Sequence, residues 1–141
     1  MSVAGKKTPR VSAAEYLALG NFRHALRHFL HFSEQAARRA GLSAQQHQAL
    51  LVIKALSKSE LVTVGSLARA LIQQHHSTVG MVDRLVKKRL LKRTPSTEDR
   101  RKVFVSLSTQ GENVIEALSA THRHELRRIG PELRRWLETF D

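Results

Sequence analysis

The chain of 141 residues holds 24 lysines and arginines against 12 acids, a formal charge of +12 at pH 7, and no cysteine. Disulfides, thiolate metal sites and redox sensing through a thiol are therefore excluded. So positive a balance calls for a polyanionic partner, whether nucleic acid, an anionic membrane face or an acidic protein. An apolar share of 41% in a chain of this length suits one domain with one core. No apolar run approaches the roughly 18 residues of a membrane span. The stretch 13–20 is interrupted by Glu15 and is too short and polar for a signal segment, so a soluble, cytoplasmic protein is expected.

Residues 1–11 are polar and basic and contain Pro9, which predicts a disordered start to a single domain over 12–141. Ser12 and Glu15 have capping-box spacing. A long helix follows to about residue 40, with Phe22, Ala25, Leu26, Phe29, Phe32 and Ala36 along one stripe and Gly41 as its end. Ser43 and Gln46 form a second capping box, opening a helix with Ala49, Leu50, Ile53 and Leu56 inward. Leu61 and Val62 are a candidate short strand. Thr63 caps a short helix over 64–71 that carries Leu67, Ala68 and Leu71. After a brief connection at 72–74, a third inner helix spans about 75–89. Val79, Val82, Leu85 and Val86 form its apolar stripe, and His76, Gly80, Asp83 and Lys87 share another face. Two short helices joined by a tight turn, the second basic and amphipathic, make a helix-turn-helix pattern.

Residues 90–94 read as a strand, 95–99 as turn chemistry, and 102–107 as a return strand with alternate apolar positions. Thr109 and Glu112 suggest another capping box. It starts a helix that Gly130-Pro131 should break, leaving a last helix over 132–140 with Leu133, Trp136, Leu137 and Phe140. The predicted class is mainly α with a small β-hairpin wing: a winged helix-turn-helix over 43–107, flanked by long helices over 12–40 and 109–141. Such long terminal helices exceed what one small core can bury. Phe22, Phe29, Trp136 and Phe140 are the expected material of a dimer interface.

The charge is concentrated. Residues 84–102 hold nine basic and two acidic side chains, whereas 108–141 hold five and six. A helix entering the major groove reads base edges from its N-terminal end, which here presents His75, His76, Ser77 and Thr78. Arg84 and Lys88 lie further along, where phosphates are reached. Arg100, Arg101 and Lys102 stand beside the hairpin tip, suited to a narrow minor groove. A basic surface helix and an ordinary solvated turn are the alternatives. His24, His28 and His31 share a helix face, a spacing that suits a metal ion and equally a polar face. His122 and His124 point to different sides. Arg123, Arg127, Arg128, Arg134 and Arg135 alternate with acids, which suggests local ion pairs. The chain has no Gly-rich phosphate loop, serine elbow or nucleophile–base pair, so no enzyme is expected.

Read together, 43–46, Leu67-Ala68, 75–79, 82–85, 90–93, Asp99-Arg100-Arg101 and 105–111 resemble the MarR (multiple antibiotic resistance regulator) family in order and spacing. The resemblance runs over roughly 15–140. It implies a homodimer formed by the terminal helices, with two winged-helix lobes on a pseudo-palindromic operator in double-stranded DNA. It also implies a repressor released by a small phenolic or lipophilic effector, with no required cofactor. Asp99 and Arg101 match the family's wing pair, in which Arg101 would enter the minor groove and Asp99 would hold the wing's shape. Arg89 departs from the pattern, standing where many members have glycine. A basic winged-helix module for RNA or an acidic protein, and a metal-responsive variant using the His24/His28/His31 face, are the competing readings.

Overall fold

The computed structural model describes Gly5 and residues 9–141, so most of the expected disordered start lies outside the described residues. The elements in chain order are α1 (Ala13–Arg39), α2 (Ala44–Leu56), α3 (Val64–Leu71), α4 (His75–Lys87), β1 (Leu91–Pro95), β2 (Val103–Leu107) and α5 (Thr109–Glu138). The chain divides into two compact units, one of 32–123 and one of 1–31 with 124–141. The fold is mainly helical with one antiparallel hairpin, as the periodicity predicts.

The larger unit is the winged helix. Its core is made by Leu50 and Ile53 of α2, Leu67 of α3, Val82 and Leu85 of α4, and Ile115 of α5, each at most 1% exposed. Burying an aliphatic side chain of this size contributes about 1.5–3 kcal/mol. The hairpin pairs Leu91 with Leu107 through Pro95 with Val103. The expected strand at Leu61-Val62 is reduced to a bridge between Thr63 and Phe104, supported by the Val105 N–H donating to the Val62 carbonyl at 2.8 Å.

Local signals set the joints. Each partner of the Ser12–Glu15 box accepts the other's backbone N–H, at 2.9 and 3.1 Å. Ser43 and Gln46 do the same at 3.1 Å. The cap of α5 is one residue earlier than predicted. Ser108 Oγ accepts from the Gly111 N–H at 3.0 Å and donates to the Arg89 carbonyl at 2.6 Å. Glu112, freed from capping, binds Lys54 Nζ at 2.6 Å. Gly111 has no alternative, because a Cβ there would lie 2.1 Å from the Leu90 carbonyl oxygen.

The predicted break at Gly130-Pro131 does not occur, and α5 runs through Pro131. A proline restricts the residue before it through clashes with that residue's N–H and Cβ, and Gly130 lacks the Cβ. One backbone hydrogen bond is lost, but the helical path is kept.

The smaller unit leaves much apolar surface uncovered. Tyr16, Leu17, Leu30, Leu126, Leu137 and Phe140 are each at least 45% exposed. Phe22, Phe29 and Trp136 are half-buried.

Candidate nucleic-acid interface

Gln74, the N-cap of α4, makes no side-chain cap hydrogen bond. The first N–H groups of a helix lack intrahelical acceptors, so this uncapped start presents donors and the positive helix end to an anion. His75, His76 and Ser77 are exposed there. Thr78 is not. It is fully buried, and its hydroxyl shares its proton between Gln73 Oε1 and the Gln74 carbonyl, both at 3.0 Å. The expectation that Thr78 reaches a base is corrected: it turns inward and locks the helix-turn-helix joint.

That joint carries strain. Ile72, the α3 C-cap, adopts φ 52° and ψ 52°, and it is 94% exposed. Arg89 likewise has a φ of 62° between α4 and β1. This left-handed position explains why glycine suits it, and Arg89 brings a cation there instead.

Arg84 is exposed, and its guanidinium lies along Gly80, where a Cβ would meet Nη1 at 3.5 Å. It borders a polar groove with Gln45, Gln73, His76 and Ser77. Lys88 was expected among the phosphate contacts. Its ammonium is instead engaged within the lobe, donating to the Gly41 carbonyl at 2.7 Å and to Gln46 Oε1 at 3.1 Å. It ties the end of α4 to the α1–α2 corner.

The wing turn is built by two side chains. Ser96 Oγ accepts from the N–H groups of Glu98 and Asp99 at 3.2 and 3.1 Å. Asp99 Oδ1 accepts from the Arg101 N–H at 3.0 Å and from its Nε at 3.3 Å. The rest of the Arg101 side chain is 91% exposed, and Arg100 and Lys102 are exposed beside it. Arg93 of β1 is ion-paired with Asp83 of α4, a tie between wing and helix that hydrophobic periodicity does not reveal. Exposed pairs of this kind contribute roughly 0.2–1 kcal/mol, enough to bias the wing's position. His75, Arg93, Arg101 and Lys102 meet around one cleft of about 300 Å³ with Val64 and Val79 in its wall. The two predicted cationic elements therefore share one side of the lobe.

Elsewhere the expected ion pairs form along α5, Glu125–Arg128 at 2.6 Å and Glu132–Arg135 at 3.8 Å. The Arg128 hydrogen bond holds the Glu125 carboxyl below its ordinary range. The rings of His24 and His28 meet edge to face at 4.5 Å. Among the described residues no group of three or more histidines and carboxylates is placed to hold a metal ion.

The MarR family model matches residues 40–102, the segment that holds the helix-turn-helix and most of the wing. No curated protein sequence matches the chain. Among solved structures, RV1404 from Mycobacterium tuberculosis is 25% identical, with 96% of each chain covered and a TM-score of 0.72. AbsC, a MarR family transcriptional regulator from Streptomyces coelicolor, is 21% identical over 89% of this chain and 84% of its own, with a TM-score of 0.71. A Staphylococcus aureus MepR mutant bound to an oligodeoxyribonucleotide is 18% identical over 92% and 99%, with a TM-score of 0.70. The match to the MarR family model lies on the lobe just described, and the likeness in fold to these solved structures runs along nearly the whole chain.

Proposed function

We propose that the protein is a sequence-specific regulator that binds double-stranded DNA as a homodimer. The observation that carries this reading is the shared cationic side of the lobe: an uncapped helix start bearing His75, His76 and Ser77, beside a wing bearing Arg100, Arg101 and Lys102. The helix start enters the major groove, and Arg101, preset by Asp99, enters the adjacent minor groove. Arg84 and the free N–H groups take phosphates. A MepR mutant of the same fold is bound to DNA in its structure, which supports this placement. Two lobes reading a pseudo-palindrome need their recognition helices one DNA turn apart, about 34 Å.

The dimer reading is supported by the uncovered apolar side chains of the terminal segments, Phe140 among them. Repression released by an effector is the finer reading. An open groove of about 500 Å³ along α1 and α5, lined by Ala36, Ala40, Val114, Ala117 and Leu118, has the size and polarity for a small lipophilic or phenolic molecule. A ligand that fits only a wrongly spaced dimer lowers DNA affinity, and DNA lowers its affinity in return.

Two substitutions test the assignment. Arg101→Ala is expected to weaken all duplex binding and to reduce the salt slope by about one unit. His76→Ala is expected to weaken a preferred duplex more than a random one. Equal losses on both duplexes for His76→Ala would remove His76 from base readout.

A further inference from the structure

Three helices meet at a pair of histidines that DNA recognition leaves unused. His47 of α2 is 2% exposed. Its Nδ1 is the one buried side-chain nitrogen or oxygen among the described residues without a hydrogen-bond partner. The His122 ring of α5 lies 4.8 Å away, centroid to centroid. From α1, Ser33 Oγ is 2.7 Å from His122 Nε2, and the Phe32 ring meets His122 edge to face at 5.5 Å.

The bonds of His122 define what the pair can hold. Its Nδ1 lies 2.7 Å from the Leu118 carbonyl, an acceptor only, so Nδ1 carries a hydrogen. Its Nε2 faces a hydroxyl, which can donate to a neutral ring or accept from a charged one. His122 therefore keeps both bonds in either protonation state. His47 has no such provision. Burial first, and the neighbouring His122 second, push its ring below the ordinary value of 6.5.

The other charges around the cluster do not relieve it. On these helices Glu34 pairs with Arg38 and Lys54 with Glu112, both exposed and self-cancelling. Arg123 beside His122 is exposed and adds positive charge. From α4, the Lys88 ammonium bonds to Gln46, the residue before His47. A proton on His47 would thus be buried, with no partner at Nδ1.

The Lys88 contact also makes a path to the DNA-binding surface. Lys88 caps α4, and its ammonium grips the start of α2 through Gln46 and the α1–α2 corner through Gly41. These bonds join α2, at the residue before His47, to the end of α4, a contiguous physical connection along which coupling can travel.

We propose that His47 and His122 form a proton-operated switch on the recognition helix: a second proton on the pair drives α2 off α1 and α5 and weakens duplex binding in acid. The inference rests on the DNA-binding reading above. For a histidine held neutral by the fold, the unfolded chain takes up the proton more readily. The stabilisation is full above 6.5 and is lost as the pH falls below it.

The test uses the full chain, with a fluorescent duplex from the DNA flanking its own gene, between about pH 8 and about pH 5.5. The wild type is expected to lose at least about fivefold in affinity, the lower edge of ordinary allosteric coupling. His47→Leu, which replaces an orphaned polar group by an apolar one, is expected to hold its affinity or gain in acid. Tm without DNA is read in parallel: that of the wild type falls below about pH 6.5 while that of His47→Leu stays nearly level. Lys88→Met should keep the pH-dependent Tm and lose the pH-dependent affinity. Parallel pH courses for wild type and His47→Leu in both readouts overturn the switch. A Tm difference between them without any duplex preference at any pH overturns the DNA-binding reading instead.

Discussion

Ile72 is fully on the surface, β-branched, and held in the left-handed region. That conformation costs an ordinary L-residue about 1–2 kcal/mol, and asparagine tolerates it better. Ile72→Asn is expected to raise stability by about 1 kcal/mol, a Tm gain of about 2–4 °C, measured by calorimetry at fixed protein concentration. An unchanged or lower Tm would mean that the turn relaxes around isoleucine. Such a feature is invisible in the sequence, where 72–74 reads only as a brief connection between two helices. Thr78 and Lys88 were misplaced for a related reason. A helical wheel assigns faces, but it does not show that Gln73 turns back to take the Thr78 hydroxyl, or that Gln46 lies within reach of a lysine 42 residues away.

The helices were legible wherever capping chemistry and periodicity agreed. Ser43 with Gln46, and Thr63 before Leu67, place α2 and α3 as the structure has them. The legibility failed where two local rules competed. Ser108 and Thr109 both suit a helix start, and the tertiary bond from Ser108 to the Arg89 carbonyl decided for the former. Pro131 signals a break, yet Gly130 before it removes the Cβ clash and the helix runs on. The wing's turn was readable from 95–99, but its anchorage was not. The Arg93–Asp83 pair joins strand to helix across ten residues, and only the folded hairpin brings those charges together.

At the scale of the whole molecule, charge and uncovered apolar surface point to two partners. The sequence singled out aromatic residues for a subunit interface, and three of the four, Phe22, Phe29 and Trp136, are half-buried within the chain. The most open apolar groups of the terminal segments are instead Tyr16 and Leu17, each 66% exposed, with Leu30 and Leu137 close behind. In the proposed homodimer these are the side chains that a second copy covers. Leu137→Arg is therefore expected to shift the chain from dimer to monomer in sedimentation at micromolar concentration and to lower Tm. A wild-type chain that sediments as a monomer there would remove the dimer from the account. The lobe's cationic side is the second partner surface, and it yields the account's central claim.

That claim is tested most directly by fluorescence anisotropy at about 0.15 M salt, where purely electrostatic binding is weak. The duplex flanking the protein's own gene is compared with a scrambled duplex of equal length. A preference of roughly a thousandfold or more is predicted, as for a specific DNA-binding protein. Equal and weak binding to both duplexes would contradict the account, leaving the basic lobe to RNA or an acidic protein.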